Sequence, residues 1–439
     1  MQKNYLIALV LLVFSLFIFQ MLFTKSDKNK VFILFVILTL PFLSIDIFPA
    51  FGNLTTFECL IFVFYLFFYK SKNVQLISGS LYLYLFISLI IVSIIGVFNA
   101  ATLTNETSIA FIQYICIFAF AKIIASECFE NIQFYHSVIS ALKVSLVFSL
   151  IFLLCQFIYG VNFSLEKSLN SNVVVLDVIR YPSFFQDPQK FAQFLSATSF
   201  LFLIKDKKTN HLPIINILFI CLSLLALLFT GGRAGLLGWC VGFLIFLVFS
   251  NSQFKIVSII VVLLLSVVVY YFSESFSMFQ RSSVGDAFDF RVSIWQDAIN
   301  IFNQHPFFGI GIGNYSNYVT VHNPDQFWIS DNRITYFSHP ESGYLKFLTE
   351  FGIVGFILVF SFILFPIFLS FNYFRKSKDI NIILIISAIS SWLVGFYTVY
   401  SFDDSRIRIL IVILICLLIT CLQNDFQEDI SSNKQLIIQ

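Results

Sequence analysis

Long runs of apolar residues, separated by short polar stretches, follow one another along almost the whole chain. A continuous apolar run of about 17–25 residues matches a helix that crosses a bilayer, whereas strands of a transmembrane β-barrel alternate apolar and polar residues. The third and seventh runs fit this pattern least well. If the first or the third run is not a true span, the number of transmembrane helices falls to twelve. The pattern predicts thirteen transmembrane helices, at about 5–24, 31–49, 54–69, 78–98, 107–125, 137–159, 188–204, 213–230, 234–250, 254–272, 350–373, 380–400 and 407–423.

The composition supports the same fold class. Of the 439 residues, 59% are hydrophobic and 11% are charged, whereas about a quarter of the residues of a soluble domain are charged. So few charges cannot cover a soluble protein of this size, which excludes a soluble enzyme, a disordered chain and a nucleic-acid-binding protein. We therefore expect an all-α, polytopic helical membrane protein with about 12–13 transmembrane helices, organised as a single integral membrane domain over residues 1–439.

Basic residues indicate the orientation, because short loops rich in lysine and arginine stay on the cytoplasmic side. The basic residues of the loops after spans 1, 3, 5, 7, 9 and 11 include Lys28, Lys70, Lys122, Lys205, Lys255 and Lys378. The loops after spans 2 and 4 carry neither lysine nor arginine. Thirteen spans therefore put the N-terminus outside and the C-terminus inside, and twelve spans would move the N-terminus inside.

Two segments on the predicted external side are long, at 160–187 and 273–349. The second is too long for a passive connection. Within it, an amphipathic stretch at 288–304 repeats apolar residues at helical spacing, which predicts a helix that lies on the membrane surface or caps the bundle. These apolar residues are Phe288, Val292, Trp295, Ile299 and Phe302.

The arginines do not follow the lysines. Of eight arginines, only Arg375 falls on the predicted cytoplasmic side. Arginine is a planar, permanently charged fork that binds phosphate through two parallel hydrogen bonds, so external arginines indicate an anion site. The alternative is salt bridges within loops, with Asp403 and Asp404 as partners for Arg406 and Arg408. The external arginines are Arg180, Arg233, Arg281, Arg291, Arg333, Arg406 and Arg408.

Arg233 lies in the segment TGGRAGLLGW, in a very short turn between spans 8 and 9. Gly231, Gly232 and Gly235 allow close approach of the backbones, which predicts that these two spans pack as a hairpin. The turn contains no acidic residue, so Arg233 is a candidate anion ligand. The alternative is an arginine that extends to the membrane interface.

Arg180 begins the segment RYPSFFQDPQKFAQFL. Asp187 and Pro188 are typical of a helix start, with the aspartate as N-cap and the proline in the first turn. Asp187 is therefore more readily a cap than a catalyst, and Arg180 is expected to face the same cavity as Arg233.

The segment HPESGYLKFLTEFGIVGF contains the candidate base. Ser338 and Glu341 form a capping-box pattern with Pro340 in the first turn, which predicts that His339 lies at a helix N-terminus. The positive end of a helix favours neutral imidazole, and a neutral histidine is a usable general base. The alternative is a histidine that only helps to cap the helix. Glu350 lies near the membrane boundary, where we expect it to orient an arginine.

A further segment, FRVSIWQDAINIFNQHPFFGIGIGNY, places Arg291 and Trp295 on one helix face. Its GIGIG run follows no strand, so a dinucleotide site is excluded and the glycines predict a tight turn after His305 and Pro306. His, Asp, Glu and Cys residues do not show the spacing of metal ligands, and we predict neither a metal site nor a cofactor. Aromatic residues of this loop, Trp295, Tyr315, Tyr318 and Trp328, are candidate platforms for sugar rings.

These four segments, in this order over residues 180–356, resemble the bacterial O-antigen ligase/polymerase family. The resemblance implies a metal-independent glycosyltransferase of the bacterial inner membrane, with its active site facing the periplasm. Its substrate would be an oligosaccharide linked to undecaprenyl pyrophosphate, and its partners would include the bilayer together with a chain-length regulator and a flippase of the same pathway.

The resemblance also implies roles for single residues. Arg233 matches the arginine that binds pyrophosphate and His339 the histidine proposed as base, while Arg180 and Arg291 match other motif arginines. Family ligases often have His-Asn where this chain has His339 followed by Pro340, which favours a polymerase of repeat units. We add three residues to the candidate substrate-binding set, namely Arg406, Glu350 and Tyr344.

Two alternatives remain open at this point. The first is an O-antigen ligase that transfers finished glycan to lipid A–core, with the same fold and chemistry. The second is a transporter or flippase for the lipid-linked oligosaccharide, which would be expected to carry charges deep within its spans. Asp46 and Lys143 are the main candidates for such charges, and both lie near span ends.

Overall fold

In the computed structural model the chain is almost entirely helical. The structure describes residues 15–18, 20–22, 27–45, 54–70, 79–100, 104–165, 173–175, 178–204, 214–250, 255–256, 259, 262–263, 267, 270–271, 276–280, 285–322, 327–330, 333–336 and 339–438. The α-helices within these ranges are α1 (Lys28–Leu38), α2 (Thr56–Phe67), α3 (Gly79–Ala100), α4 (Asn105–Glu130), α5 (Ile132–Tyr159), α6 (Pro188–Thr198), α7 (Ile214–Thr230), α8 (Arg233–Phe249), α9 (Ser277–Gln280), α10 (Gly285–Gln304), α11 (Tyr315–His322), α12 (Gly343–Ser377), α13 (Ile380–Phe396) and α14 (Ser405–Ile438).

Short elements complete the described fold. Two 3₁₀ turns, Leu40–Phe42 and Ser199–Leu203, continue α1 and α6. Two small antiparallel hairpins pair β1 (Val174–Val175) with β2 (Val178–Ile179), and β3 (Phe327–Ser330) with β4 (Arg333–Tyr336).

Five helices are long and apolar enough to cross a membrane, namely α3, α4, α5, α12 and the apolar part of α14. Four shorter apolar helices, α2, α7, α8 and α13, coincide with other predicted spans. The chain is therefore a helical polytopic membrane protein, as predicted. Most of the first predicted span (5–24) and much of the tenth (254–272) lie outside the described residues.

Helices α13 and α14 form the centre of the bundle. Almost every side chain of α13 between Ile382 and Ser391 is buried, and 78% of the apolar window of α14 is buried. The other helices surround this pair: α8 and α6 pack on α13, while α4 and α12 pack on α14. Most of α3 faces outward, which fits a helix in contact with lipid.

The two ends of the bundle differ in charge. One end, here called the arginine end, gathers the C-termini of α3, α7 and α13 with the N-termini of α4, α8, α12 and α14. The other, the lysine end, gathers the junctions α4–α5 and α12–α13. At the lysine end the Asn29 side chain donates to the Lys70 carbonyl over 3.0 Å and to Glu127 over 2.9 Å.

Helix α12 is broken at Gly352, which has φ 61° and ψ −172°. The turn that follows α10 fills the break: Ile353 N donates to Pro306 O at 2.8 Å, and Gly311 N donates to Glu350 O at 2.9 Å. Gly309, Gly311 and Gly313 all have positive φ, which confirms the predicted tight turn. The backbone groups freed by the break are thereby paired, as a membrane environment requires.

Helices α7 and α8 follow one another through a short turn, but Gly232 and Gly235, which were expected to pack these two helices together, lie against Ala192 of α6. Gly238 and Gly242 instead lie against the backbone of Ser391 and Ser387 in α13, and a Cβ at Gly242 would come within 2.7 Å of the Ser387 carbonyl. The sequence showed that the small residues permit close packing. The choice of partner helix depended on the rest of the bundle.

Two other local predictions have different outcomes. Asp187 is the N-cap of α6 and accepts a hydrogen bond from Gln189 N at 2.7 Å, as predicted. Helix α10 forms, but it buries Ile294, Ala298 and Ile301, while Val292 and Ile299 of the predicted apolar face are exposed. The buried face packs on the glycine turn and α11, which directly follow α10 in the chain.

We predict that Gly352→Ala destabilises the protein more than Gly160→Ala. Both glycines have backbone angles that essentially only glycine adopts, which costs about 1–3 kcal/mol for other residues. At Gly352 a Cβ would also overlap the Phe307 carbonyl, whereas nothing lies within 4 Å of a Cβ at Gly160. Overlap adds roughly 1–3 kcal/mol. Thermal unfolding of both purified variants in one detergent checks this, and equal losses would contradict it.

Candidate active site

Arg233 is the first residue of α8 and its side chain is exposed. Gly232 is the N-cap, and a Cβ at Gly235 would come within 2.8 Å of Ala192 Cβ in α6. The start of α8 therefore lies directly against α6 at the arginine end. The positive end of the helix dipole and the charge of Arg233 lie at the same helix terminus, so the position favours an anion.

Arg180 supports the turn that carries Arg233. Its side chain is 1% exposed, and its Nε donates to the Thr230 carbonyl at the last residue of α7 over 2.8 Å. Its own backbone N donates to Val173 O at 2.8 Å. The structure thus brings Arg180 to the same turn as Arg233, but the Arg180 side chain is enclosed by protein.

Arg406 forms a buried ion pair with Asp404. Its Nε and Nη2 donate to the two Asp404 carboxylate oxygens over 2.9 and 2.7 Å, its Nη1 donates to the Phe184 carbonyl, and its guanidinium lies over the Phe185 ring. These contacts favour a bracing role over substrate binding. Asp404 as the partner of Arg406 agrees with the alternative raised from the sequence.

The other expected aspartate pairing is wrong. Arg408 donates to Gln113 over 2.7 Å and its Nη2 lies 3.5 Å from Glu58, which joins α14 to α4 and α2. Asp403 instead accepts from Lys190 Nζ of α6 at 2.6 Å. Proximity in sequence suggested Asp403, but the helical rise after Ser405 carries Arg408 away from it.

His339 lies ahead of α12 rather than in its first turn. The helix begins at Gly343 with Ser342 as N-cap, and Glu341 has φ 50°, so the predicted capping box is wrong; Ser338 lies outside the described residues. The His339 Nε2 lies 3.7 Å from Glu341 Oε1, and about a quarter of each side chain is exposed. The imidazole ring lies 5.7 Å from the Tyr400 ring.

Glu350 pairs with a lysine and not with an arginine. Lys346 Nζ lies 2.8 Å from Glu350 Oε1, and both side chains are buried. Glu350 also accepts from Tyr315 N at 3.2 Å, while Lys346 lies over the rings of Tyr315 and Tyr400. Glu350 therefore joins α12 to α11. It lies two residues before Gly352, where α12 is broken.

Tyr344 and Trp295 both contact Tyr397, and Arg291 lies on the same helix as Trp295. Tyr344 Oη donates to the Leu393 carbonyl at 2.8 Å, and its ring centroid lies 6.4 Å from that of Tyr397. Trp295 meets Tyr397 edge-on at 5.7 Å, and half-buried Arg291 lies one helical turn before Trp295. Two other candidate sugar platforms, Tyr315 and Tyr318, are buried against α10 and α12, so they do not offer a free ring face.

The loop between α13 and α14 brings most of these residues together. Tyr397 and Tyr400 contact residues of α10 and α12, and the Val399 carbonyl accepts a hydrogen bond from Gln193. Asp403 pairs with Lys190, and Asp404 pairs with Arg406. Side chains of Arg281 and Arg333 lie outside the described residues. Among the described residues, no three His, Cys, Asp or Glu side chains are grouped closely enough to share a metal ion.

Two lysines of this region were missed from the sequence, Lys190 and Lys346. Both lysines lie at the arginine end, where a basic residue opposes the positive-inside rule. Their position on this side of the predicted spans is the sequence signal that could have identified them, as it identified the arginines.

We predict that the Asp404–Arg406 pair makes stability depend on acid pH. Burial raises the pKa of Asp404, but the Arg406 charge and its hydrogen bonds outweigh this and lower the pKa overall. Because the folded-state pKa is depressed, the stabilisation is complete above the unfolded value of about 3.9 and is lost as pH falls through the folded value. Asp404→Asn should lower the melting temperature at pH 7, since it leaves Arg406 buried without its partner.

Melting temperatures measured from pH 3 to 7 test this. The Asp404→Asn variant should show a flatter acid limb than the wild type, and Asp403→Asn, at the exposed neighbouring position, should lower the melting temperature at pH 7 much less. An unchanged acid limb in Asp404→Asn would contradict the assignment.

Part of the chain that forms this site matches a known protein family. Residues 218–360 match a family model described as O-antigen ligase. A search of curated proteins gave no match. The matched region runs from α7 to the first part of α12 and contains Arg233, Arg291, His339, Tyr344 and Glu350. This match supports the resemblance to the O-antigen ligase/polymerase family that the ordered motifs indicated.

Proposed function

We propose that the protein is a membrane glycosyltransferase that polymerises oligosaccharide repeat units linked to undecaprenyl pyrophosphate. It would build O-antigen, or a capsular or exopolysaccharide, at the periplasmic face of the bacterial inner membrane. A chain-length regulator and a flippase of the same pathway are its proposed partners. The observation that carries the proposal is the exposed Arg233 guanidinium at the N-terminus of α8, inside the region that matches the family model.

Arg233 would bind the pyrophosphate of the donor. When the bond between the anomeric carbon and the pyrophosphate oxygen breaks, its electron pair stays on that oxygen and negative charge grows there. A fixed guanidinium and the amides at a helix N-terminus stabilise such charge without reorganisation. The packing of α8 on Ala192 and the bond from Arg180 to Thr230 support this role, because they hold the turn in place.

His339 would accept the proton of the acceptor hydroxyl as that oxygen attacks the anomeric carbon. The resulting imidazolium would face the Glu341 carboxylate, which lies 3.7 Å from Nε2 in the structure. General-base catalysis of this kind contributes about 10²–10⁴-fold to rate. Glu341, at first interpreted as a helix cap, is therefore proposed as the residue that stabilises charged His339.

The remaining candidates divide by their surroundings. Arg180, Arg406 and Glu350 are buried and bonded to protein, so we propose that they position the site and do not touch substrate. Tyr344 is partly buried beside Tyr397, and Arg291 is partly buried one helical turn before Trp295, so we propose that both contact the glycan.

We predict that Arg233→Ala abolishes product formation. Removing one donor that stabilises a developing oxyanion costs about 10²–10³-fold in rate. The assay incubates purified protein with a synthetic undecaprenyl-pyrophosphate repeat unit and resolves the ladder of products. Arg233→Lys should retain a small activity, because it keeps the charge but not the fork. Arg375→Ala, an exposed arginine at the lysine end, is the matched control and should be unaffected. A wild-type ladder from Arg233→Ala would reject the pyrophosphate site.

For the base, we predict that His339→Ala lowers the rate by about 10²–10⁴-fold with little change in donor binding. Glu341→Gln should lower the rate less, since it removes only the charge that faces the imidazolium. His322→Ala changes an exposed histidine of the same loop and serves as the control. Retained wild-type rates in His339→Ala would remove it as the base.

The second candidate is a ligase that transfers finished glycan to lipid A–core. It is favoured by the description of the matching model, which is an O-antigen ligase. The surface glycan of a deletion strain separates the two. Single repeat units on the core indicate a lost polymerase, whereas long chains that stay lipid-linked indicate a lost ligase.

A further inference from the structure

A cavity of about 720 Å³ lies between α3, α4, α12 and α14, away from Arg233 and His339. Its wall is almost wholly apolar and includes Phe86, Phe118, Ile363 and Ile415. Leu83 on the α3 side of the cavity is 46% exposed, so the cavity opens on the outward, lipid-facing side of the bundle. An apolar space of this shape in a membrane protein accommodates a hydrocarbon chain.

The cavity runs along the bundle axis. Towards the arginine end it is lined by Tyr114 and Phe402, whose rings lie 6.3 Å apart. Towards the lysine end it is lined by Ser80 and Lys122. Tyr114 and Lys122 both lie on α4, eight residues apart, so these two levels are separated by about 12 Å.

The end of the cavity at Lys122 combines two positive features. One is the Lys122 ammonium itself, on the side where the lysines predict the cytoplasm. The other is the N-terminus of α3, which begins at Gly79 immediately before Ser80. The first turn of this 22-residue helix carries the partial positive charge of the helix dipole. Lys122 of α4 and the start of α3 therefore line the same end of the cavity.

We propose that this cavity binds an anionic phospholipid of the cytoplasmic leaflet, with one acyl chain inside and the phosphate between Lys122 and the N-terminus of α3. Basic pockets between transmembrane helices on the cytoplasmic side attract anionic headgroups. A polyprenyl chain that entered from the candidate active site would bring no charge to this mouth, and it would use neither Lys122 nor the α3 amides. The proposal is independent of the reaction at the arginine end.

Lipid titration of the delipidated full-length protein tests it, with bound lipid counted by native mass spectrometry. Phosphatidylglycerol should bind more tightly than phosphatidylethanolamine. Lys122→Gln should weaken phosphatidylglycerol binding about fivefold, the contribution of one basic residue near an anionic headgroup, and Lys122→Arg should retain it. Lys376→Gln, an exposed lysine at the same end, is the matched control and should bind as the wild type does.

Filling the cavity gives a second variant. Ala121→Trp places a large ring among the lining side chains and should abolish binding of phosphatidylglycerol. If that variant fails to elute as a monodisperse protein, crosslinking replaces it: phosphatidylglycerol with a photoactivatable acyl chain should label α3 and α4 of the wild type.

Three results would overturn the proposal. They are equal affinity of Lys122→Gln and wild type for phosphatidylglycerol, labelling that avoids α3 and α4, and displacement of phosphatidylglycerol by polyprenyl phosphate with an affinity that does not depend on Lys122. The last result would assign the cavity to the lipid tail of the donor.

Discussion

Backbone hydrogen bonds across the break in α12 hold the candidate active site in place. Gly352 interrupts the helix, and the 306–311 turn supplies partners for the freed groups, with Ile310 N donating to Thr349 O and Ile353 N donating to Pro306 O. Unpaired backbone groups at membrane depth cost several kcal/mol each, so the turn and the break require one another. Because α10 leads into this turn, the break also fixes how the long loop lies over the bundle.

Buried ion pairs complete this support. Arg408 with Glu58 joins α14 to α2. Arg406 with Asp404 and Lys346 with Glu350 are pairs within one segment, and each pair also bonds to another segment, through the Phe184 carbonyl and the Tyr315 amide respectively. Removing one partner of such a pair leaves an uncompensated buried charge, which costs about 3–5 kcal/mol. The arginines of the chain therefore serve two purposes: some brace the arginine end from within, and Arg233 is exposed where a substrate can reach it.

The two ends of the bundle carry separate chemistry. At the arginine end, the α13–α14 loop gathers residues from α6, α10 and α12 around Tyr397 and Tyr400. At the lysine end, Lys122 and the start of α3 form the mouth of an apolar cavity. Because apolar walls of α3, α4, α12 and α14 lie between the ends, the proposed phospholipid and the proposed pyrophosphate would not compete for the same charges.

Features with a local cause were determined by the sequence: the apolar helices, the Asp187 cap, the glycine turn and the unusual side of the arginines all follow from neighbouring residues. Tertiary structure alone decided which surfaces meet. It selected α13 as the partner of α8, rotated the buried face of α10 onto Ile294, Ala298 and Ile301, and joined Glu350 to the Tyr315 amide. The reason is physical: helix formation depends on residues three or four positions apart, whereas these contacts join residues separated by tens or hundreds of positions, and only the packed bundle brings them together.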